Sequence, residues 1–139
     1  MKKYRCLYIL IPVIVIILEL LPFGAVLNFG VPADEGGIRK IRETYSYFSL
    51  VPFGYANFGC LITAVLSCVL LMLGIAYFVK EVKILKKAIA VVSVFSVISS
   101  VSPLLYGLEY FSTVGAIISL LLILELILLL IFKNDRNCE

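Results

Sequence analysis

Two glutamates stand deep inside long apolar stretches of the sequence. Glu19 lies in a stretch that begins at Cys6, and Glu125 lies in one that ends at Phe132. A charged side chain at the centre of a bilayer costs about 2.5–3.5 kcal/mol or more, so an ionisable residue there is a functional-site hypothesis by default. Glu19 and Glu125 are therefore candidate proton-binding or polar sites within the membrane.

The depth of the two glutamates can be compared from the helical rise of about 1.5 Å per residue. Glu19 would lie about 13 Å inward of Asn28, and Glu125 about 12 Å inward of Lys133. Antiparallel spans across a core of about 30 Å would bring them within about 5 Å in depth, which permits a shared site. The alternative is that each glutamate is neutral and hydrogen-bonded to a neighbouring helix.

Other site chemistries find little support in the residue types. The chain has no histidine, which excludes imidazole metal ligands and the catalytic triads that need an imidazole base. Its basic residues flank apolar stretches without interleaved aromatic residues, so nucleic-acid binding is not indicated. We expect no enzyme activity, no catalytic residue, no metal and no cofactor. Four cysteines are present but form no C-x-x-C pair, and they are Cys6, Cys60, Cys68 and Cys138.

The composition indicates an integral membrane protein. Of 139 residues 63% are hydrophobic and 15% charged, and the mean hydropathy is +1.13, which is far from the values of soluble domains. The apolar residues fall into four stretches of about 18 residues or more, enough to cross a hydrocarbon core as helices. We predict one all-α membrane domain over residues 1–139, an antiparallel bundle of four transmembrane helices at 6–28, 55–79, 88–105 and 110–132.

The distribution of lysine and arginine predicts the orientation. Nine of these residues lie in the N-terminal segment, in the 80–87 loop and in the 133–139 tail, whereas three lie in the 29–54 loop. Short segments rich in lysine and arginine stay in the cytoplasm. We therefore expect both termini to be cytoplasmic, the protein to lie in the cell membrane, and the 29–54 loop to face outward.

Small and hydroxyl-bearing residues recur on one face of three predicted spans. Such residues let helices approach closely in a membrane, so these faces are predicted contact seams, with a polar pathway as the alternative. The residues are Gly59, Thr63, Ser67 and Gly74; Ser93, Ser96 and Ser100; and Ser112, Gly115, Ala116 and Ser119.

Two near copies of one phrase frame the outer loop. The pattern P-F-G followed by N-F-G occurs at 22–30 and again at 52–59. Proline and glycine interrupt helices and phenylalanine anchors at the membrane interface, so we predict matching turns, with chance similarity as the alternative. The candidate outer recognition surface comprises Phe23, Asn28, Phe29, Arg39, Arg42, Phe53, Asn57 and Phe58.

The loop between the two copies carries a second pattern. Ile38, Ile41, Tyr45 and Phe48 recur at helical spacing, which predicts a short amphipathic helix across the outer end of the bundle. Tyr45 and Tyr47 also alternate with polar residues, so a strand is the alternative.

The segment RETYSYFSLVPFGYANFGCL (42–61), preceded by LPFGAVLNFG (21–30), resembles small four-span membrane proteins of bacteria that have no known activity. Four short spans with a first-span glutamate are also similar to small multidrug-resistance transporters, but the long outer loop and the lack of tryptophan depart from that family. The expected role is non-enzymatic, as an accessory or interaction subunit or an immunity-type protein. The alternative is a small proton-coupled transporter that works as an oligomer around Glu19 and Glu125. The expected partners are the lipid bilayer and either another membrane protein or further copies of this chain.

Overall fold

The computed structural model describes residues 6–32 and 37–134. The chain is mostly helical, and two 3₁₀ turns at Ser102–Tyr106 and Leu108–Tyr110 join its last two long helices. In chain order the elements are α1 (Leu7–Leu20), β1 (Ala25–Pro32), β2 (Ile38–Tyr45), α2 (Leu50–Gly54), α3 (Phe58–Val79), α4 (Lys83–Val101) and α5 (Thr113–Asn134).

Three segments of the described chain are long and apolar enough to cross a membrane. They are Phe58–Val79, Lys83–Tyr106 and Thr113–Ile131. They match three of the predicted spans with boundaries shifted by a few residues, because α4 starts at Lys83 and α5 starts after the 3₁₀ turn at Leu108–Tyr110. Membrane insertion through three apolar helices is therefore supported by length and composition.

The first predicted span is wrong beyond Leu20. Helix α1 has 14 residues, or about 21 Å of helix, which is less than the hydrocarbon thickness of about 30 Å. Leu21 leaves the helix with φ −66° and ψ 140°, the extended conformation that a following proline favours, here Pro22. The residues from Ala25 onward then pair in a sheet, so Asn28 cannot serve as the helical reference for the depth of Glu19.

The outer loop forms a β-hairpin, which corrects the predicted amphipathic helix. Strands β1 and β2 pair antiparallel, from Ala25 opposite Tyr45 to Pro32 opposite Ile38. The β2 side chains are almost all exposed, so the apolar residues of this segment are not buried against the bundle as those of an amphipathic helix would be. Pairing with β1 instead satisfies the backbone groups of a segment rich in β-branched and aromatic residues. The base of the hairpin is buried at Ala25, Val26 and Leu27, and its far end is exposed.

Helices α1, α3, α4 and α5 pack as a ring in which α1 and α4 each contact α3 and α5. The predicted seams are confirmed, since every seam residue is buried except Ala116, which is half-buried. Gly74 lets α3 approach α1 closely, because a Cβ at this position would overlap the carbonyl oxygen of Tyr8. Gly59 does the same against the end of α4, where a Cβ would lie 2.9 Å from the carbonyl oxygen of Ser99. Small residues thus set the distance between neighbouring helices.

Candidate functional site

Glu19 is the last inward-facing side chain of α1. Tyr8, Ile11, Val15 and Glu19 follow one another at three to four residues and are all buried, so they form the face that α1 turns to the bundle interior. The Ser67 hydroxyl of α3 donates a hydrogen bond of 2.8 Å to Oε1 of Glu19. The other carboxyl oxygen of Glu19, Oε2, has no hydrogen-bond partner among the described residues. The Glu19 carboxyl group is therefore only half satisfied.

The chain that leaves the hairpin closes the hairpin end of the bundle over Glu19. The Glu19 carbonyl oxygen accepts a backbone N–H bond of 3.0 Å from Tyr47 and a hydroxyl bond of 3.0 Å from Ser46. The last carbonyls of a helix have no partner within the helix, so these bonds cap the end of α1. The Tyr47 ring is buried against Gly24, where a Cβ would lie 2.7 Å from its Cδ1 atom. Hydrogen bonds thus join the segment after the hairpin directly to the backbone of Glu19.

Glu125 occupies the inner face of α5. Ile118, Leu122, Glu125 and Leu129 are buried and recur at helical spacing. Neither Oε1 nor Oε2 of Glu125 has a hydrogen-bond partner within the described part of the chain. Glu125 therefore presents a fully buried carboxyl group to an otherwise apolar face, and no described hydrogen bond joins it to Glu19.

A contact between α4 and α5 fixes their relative depth. The Ser119 hydroxyl donates a bond of 3.4 Å to the carbonyl oxygen of Ser100. From these positions Glu125 lies six residues farther along α5, or about 9 Å, and Ser93 lies seven residues back along α4, or about 10 Å. Glu125 and Ser93 are thus at nearly the same depth in the bundle.

A second contact relates α3 to α4. The Ser99 hydroxyl donates a bond of 3.0 Å to the carbonyl oxygen of Gly59. Ser67 is eight residues, or about 12 Å, from Gly59, and Ser93 is six residues, or about 9 Å, from Ser99 in the same direction. Since Ser67 also bonds Glu19, all four polar groups fall within a few ångströms of one depth. We call this set the carboxylate layer: Glu19, Ser67, Ser93 and Glu125.

The aromatic residues of the predicted recognition surface lie at the hairpin end of the bundle. Phe53 and Phe58 are exposed and stack edge to face with ring centroids 4.9 Å apart. Phe29 packs against Tyr55 in the same manner at 5.1 Å, which ties β1 to the segment before α3. Phe23 is exposed in the turn after α1. Edge-to-face pairs add about 0.5–1.5 kcal/mol each beyond burial, so they stiffen this rim.

The two charged residues of that surface, Arg39 and Arg42, are exposed on β2. Between them Lys40 forms an ion pair of 3.5 Å with Glu109 of the second 3₁₀ turn. The Tyr45 hydroxyl donates a hydrogen bond to the Glu43 carboxylate, and this bond raises the pKa of Tyr45 above its ordinary value. The hairpin therefore presents basic side chains outward.

Asn28 and Asn57, which were predicted to belong to the recognition surface, are not exposed. Asn57 is buried, so it does not belong to an exposed recognition surface. Its Oδ1 accepts a contact of 3.9 Å from Sγ of Cys60. Asn28 is half-buried in β1, and the Nδ2 atoms of both asparagines have no hydrogen-bond partner among the described residues.

The prediction of matching turns at the two P-F-G/N-F-G phrases is wrong. The first P-F-G forms the turn after α1 and its N-F-G lies inside β1, whereas the second P-F-G lies inside α2 and its N-F-G begins α3. At the second copy, the Ser49 hydroxyl caps α2 by accepting the N–H of Val51 at 3.3 Å, with Pro52 in the first turn. The first copy has β2 beside it. The surroundings thus decide the conformation of each copy.

Two regions of the described chain can therefore do something beyond packing. The carboxylate layer offers buried oxygen atoms, and the hairpin with its aromatic rim offers an exposed basic and apolar surface. No family model, curated protein or solved structure matches this chain.

The structural role of Tyr47 and the capping role of Ser112 were not predicted from the sequence. The Ser112 hydroxyl accepts the N–H of Gly115 at 2.8 Å and donates to the Gly24 carbonyl. A serine directly before an apolar helix was the available signal for the second.

Proposed function

We propose that this protein is a non-enzymatic, multi-pass component of the cell membrane that binds a partner protein through its outer hairpin, as an accessory subunit or an immunity-type protein. The observation that carries the proposal is the hairpin itself, which is anchored by a buried base and exposed at its far end. Strand edges that remain open can pair with a strand of another chain. The exposed Arg39 and Arg42 favour an acidic partner surface.

The proposal includes a four-span topology with both termini in the cytoplasm. Helix α1 is short, but it packs between α3 and α5 and turns apolar side chains away from them, including the exposed Leu10, Ile14 and Ile17. An apolar outer face of this kind suits contact with lipid. The excess of lysine and arginine at the opposite end from the hairpin supports the same orientation.

The partner proposal predicts selective cross-linking at the hairpin. A photoreactive phenylalanine analogue at Ile38, which is 81% exposed, should give one dominant adduct in native membranes. The same analogue at Ile84, which is 74% exposed at the start of α4, is the matched control and should not give that adduct. Arg39→Glu together with Arg42→Glu should reduce the adduct at least tenfold without lowering the amount of protein in the membrane. Equal adducts at both positions, or none at Ile38, would contradict the proposal.

A second candidate function is proton-coupled transport by an oligomer, and the carboxylate layer favours it. Ionisable groups buried within spans are typical of proton relays, and both glutamates are fully buried here. The cross-linking experiment separates the two functions. An adduct formed only with further copies of this chain would favour the transporter over the accessory subunit.

A further inference from the structure

Strand β2 has a free edge. The hairpin sheet has two strands, so β1 occupies one edge of β2 and no other strand of the described chain occupies the second. The corresponding edge of β1 is partly taken, because Ala25 forms a bridge with Phe111 and Pro32 has no N–H to donate. A free strand edge carries unpaired N–H and C=O groups that pair readily with another strand. The edge of β2 is therefore the place at which the sheet can accept a further strand.

Two arginines of β2 lie on opposite faces of the hairpin sheet. Successive side chains of a strand point to opposite faces, so Arg39 and Arg42, three residues apart, are directed to different sides. Both are exposed, and neither forms an ion pair with a described residue. Lys40 differs, because it is paired with Glu109 at 3.5 Å. The free edge thus offers one uncompensated positive charge on each face.

The positions of these charges specify the strand that fits. In an antiparallel pair, residues directly opposite each other share a face, and opposite charges there attract whereas like charges repel. A strand beside β2 therefore needs an acidic residue opposite Arg39 and another opposite Arg42, which places the two acidic residues three positions apart. The residue that follows each of them along this strand lies opposite the exposed Ile38 or Ile41, so an apolar side chain suits both positions.

This pattern also separates another protein from a second copy of the chain as the occupant. The nine acidic residues of the sequence include no two that are three positions apart, so no segment of this chain matches both arginines. We infer that the free edge of β2 binds an extended segment of another protein in which two acidic residues, three positions apart, are each followed by an apolar residue. Backbone hydrogen bonds provide binding of this kind, and the side chains opposite β2 provide its specificity. The inference rests on the proposed function and names the segment that the partner would present.

A synthetic peptide tests the inference on the purified full-length protein in detergent. The probe is a fluorescein-labelled peptide of sequence T-E-V-T-E-V-T, and fluorescence anisotropy measures its dissociation constant. A peptide of the same composition with its glutamates two positions apart, T-E-V-E-T-V-T, should bind at least fivefold more weakly, because it can match only one arginine at a time. Binding of the first peptide should weaken as the salt concentration rises.

Protein variants locate the site. Arg39→Glu together with Arg42→Glu should weaken binding of the first peptide at least tenfold, because like charges would then face each other across the edge. Lys83→Glu together with Lys87→Glu is the charge-matched control. These two lysines are exposed at the start of α4, away from the hairpin, so their reversal should change the dissociation constant less than twofold.

A second measurement needs no protein variant. In an antiparallel pair, only alternate residues of the added strand direct their N–H groups to the neighbouring strand. N-methylation of the second and fourth residues of the peptide, and separately of the third and fifth, removes the two alternate sets of donors. One methylated peptide should bind at least tenfold more weakly than the unmodified peptide, and the other should stay within threefold of it.

Three results would overturn the inference: no binding of the unmodified peptide, equal binding to the wild type and to the double arginine variant, or equal binding of the two methylated peptides. The proposed function fails on a different observation. An adduct from the cross-linker at Ile38 in native membranes without peptide binding would retain the proposed function and reject this inference. Peptide binding without such an adduct would do the reverse.

Discussion

Replacing Tyr47 with alanine should lower the free energy of unfolding by about 3–5 kcal/mol, the range for truncating a buried aromatic side chain. Tyr47 is 1% exposed, its ring covers Gly24, and its backbone N–H caps the last turn of α1. Loss of the ring would open a cavity between the hairpin base and the bundle. We therefore expect the hairpin to detach from the outer end, which chemical denaturation in detergent followed by circular dichroism would measure.

Two control variants separate the role of the Tyr47 ring from other effects. Tyr47→Phe keeps the ring and loses only the hydroxyl, which is hydrogen-bonded to the side chain of Cys60, so it should cost about 1 kcal/mol, the typical contribution of one hydrogen bond. Tyr55→Ala removes an exposed aromatic ring at the same end and should cost about 0.5–1.5 kcal/mol, chiefly through the lost contact with Phe29. If Tyr47→Ala were as stable as Tyr55→Ala, the hairpin would not depend on Tyr47 for its attachment.

Replacing Glu125 with leucine should have the opposite sign and raise the free energy of unfolding. Both carboxyl oxygens of Glu125 are buried without a described partner, and each such group costs about 1–3 kcal/mol. Leucine fills a similar space without polar atoms, so we expect a gain of about 1–3 kcal/mol. Chemical denaturation in detergent, followed by circular dichroism, measures this difference between the variant and the wild type.

Glu19→Leu is the matched comparison for this stabilising substitution. Its gain should be smaller, because the Ser67 hydroxyl would lose the acceptor that it now has at 2.8 Å. A stabilising substitution at Glu125 would mean that this residue serves a function at the expense of stability. A loss of stability in Glu125→Leu would instead show that the carboxyl group has a structural partner in the folded protein.

The long helices and their contacts could be predicted because the signals are local. Apolar stretches of sufficient length predict α3, α4 and α5, and small residues such as Gly74 and Ser96 mark the faces that pack. The end of α1 was not predicted, although Pro22 and Gly24 interrupt the helical pattern soon after Leu20. The hydrophobic stretch continues through Ala25, Val26 and Leu27, and these residues are buried in a strand rather than in the helix.

The hairpin could not be predicted from β2 alone, because its sequence fits two periods at once. Ile38, Ile41 and Tyr45 match a helical stripe, whereas Thr44 and Tyr45 begin a strand-like alternation. The decision depends on β1, which provides the pairing backbone: Asn28, for example, pairs with Arg42, 14 residues away in sequence. Non-local pairing of this kind leaves no signature within one segment.

The candidate site was likewise predictable only in part, because some of its features are local in sequence and others depend on the fold. Glu19 and Glu125 stand out because carboxylates are rare in apolar stretches, and Ser67 was already part of a predicted seam. The unbonded state of Ser93 and the cap that Tyr47 forms on Glu19 depend on how elements meet in space. A residue type can therefore be selected from the sequence, but its partners require the fold.

The most direct measurement is two-sided cysteine labelling of α1, because the four-span topology depends on that helix. In intact cells, an impermeant maleimide should label Gly37→Cys beside the hairpin but not Cys6, the exposed residue directly before α1, with the other native cysteines changed to serine. Cys6 should become labelled only after the membrane is permeabilised, as should Ile84→Cys at the start of α4. Labelling of both Cys6 and Gly37→Cys in intact cells would place both ends of α1 on one side and contradict the proposed topology.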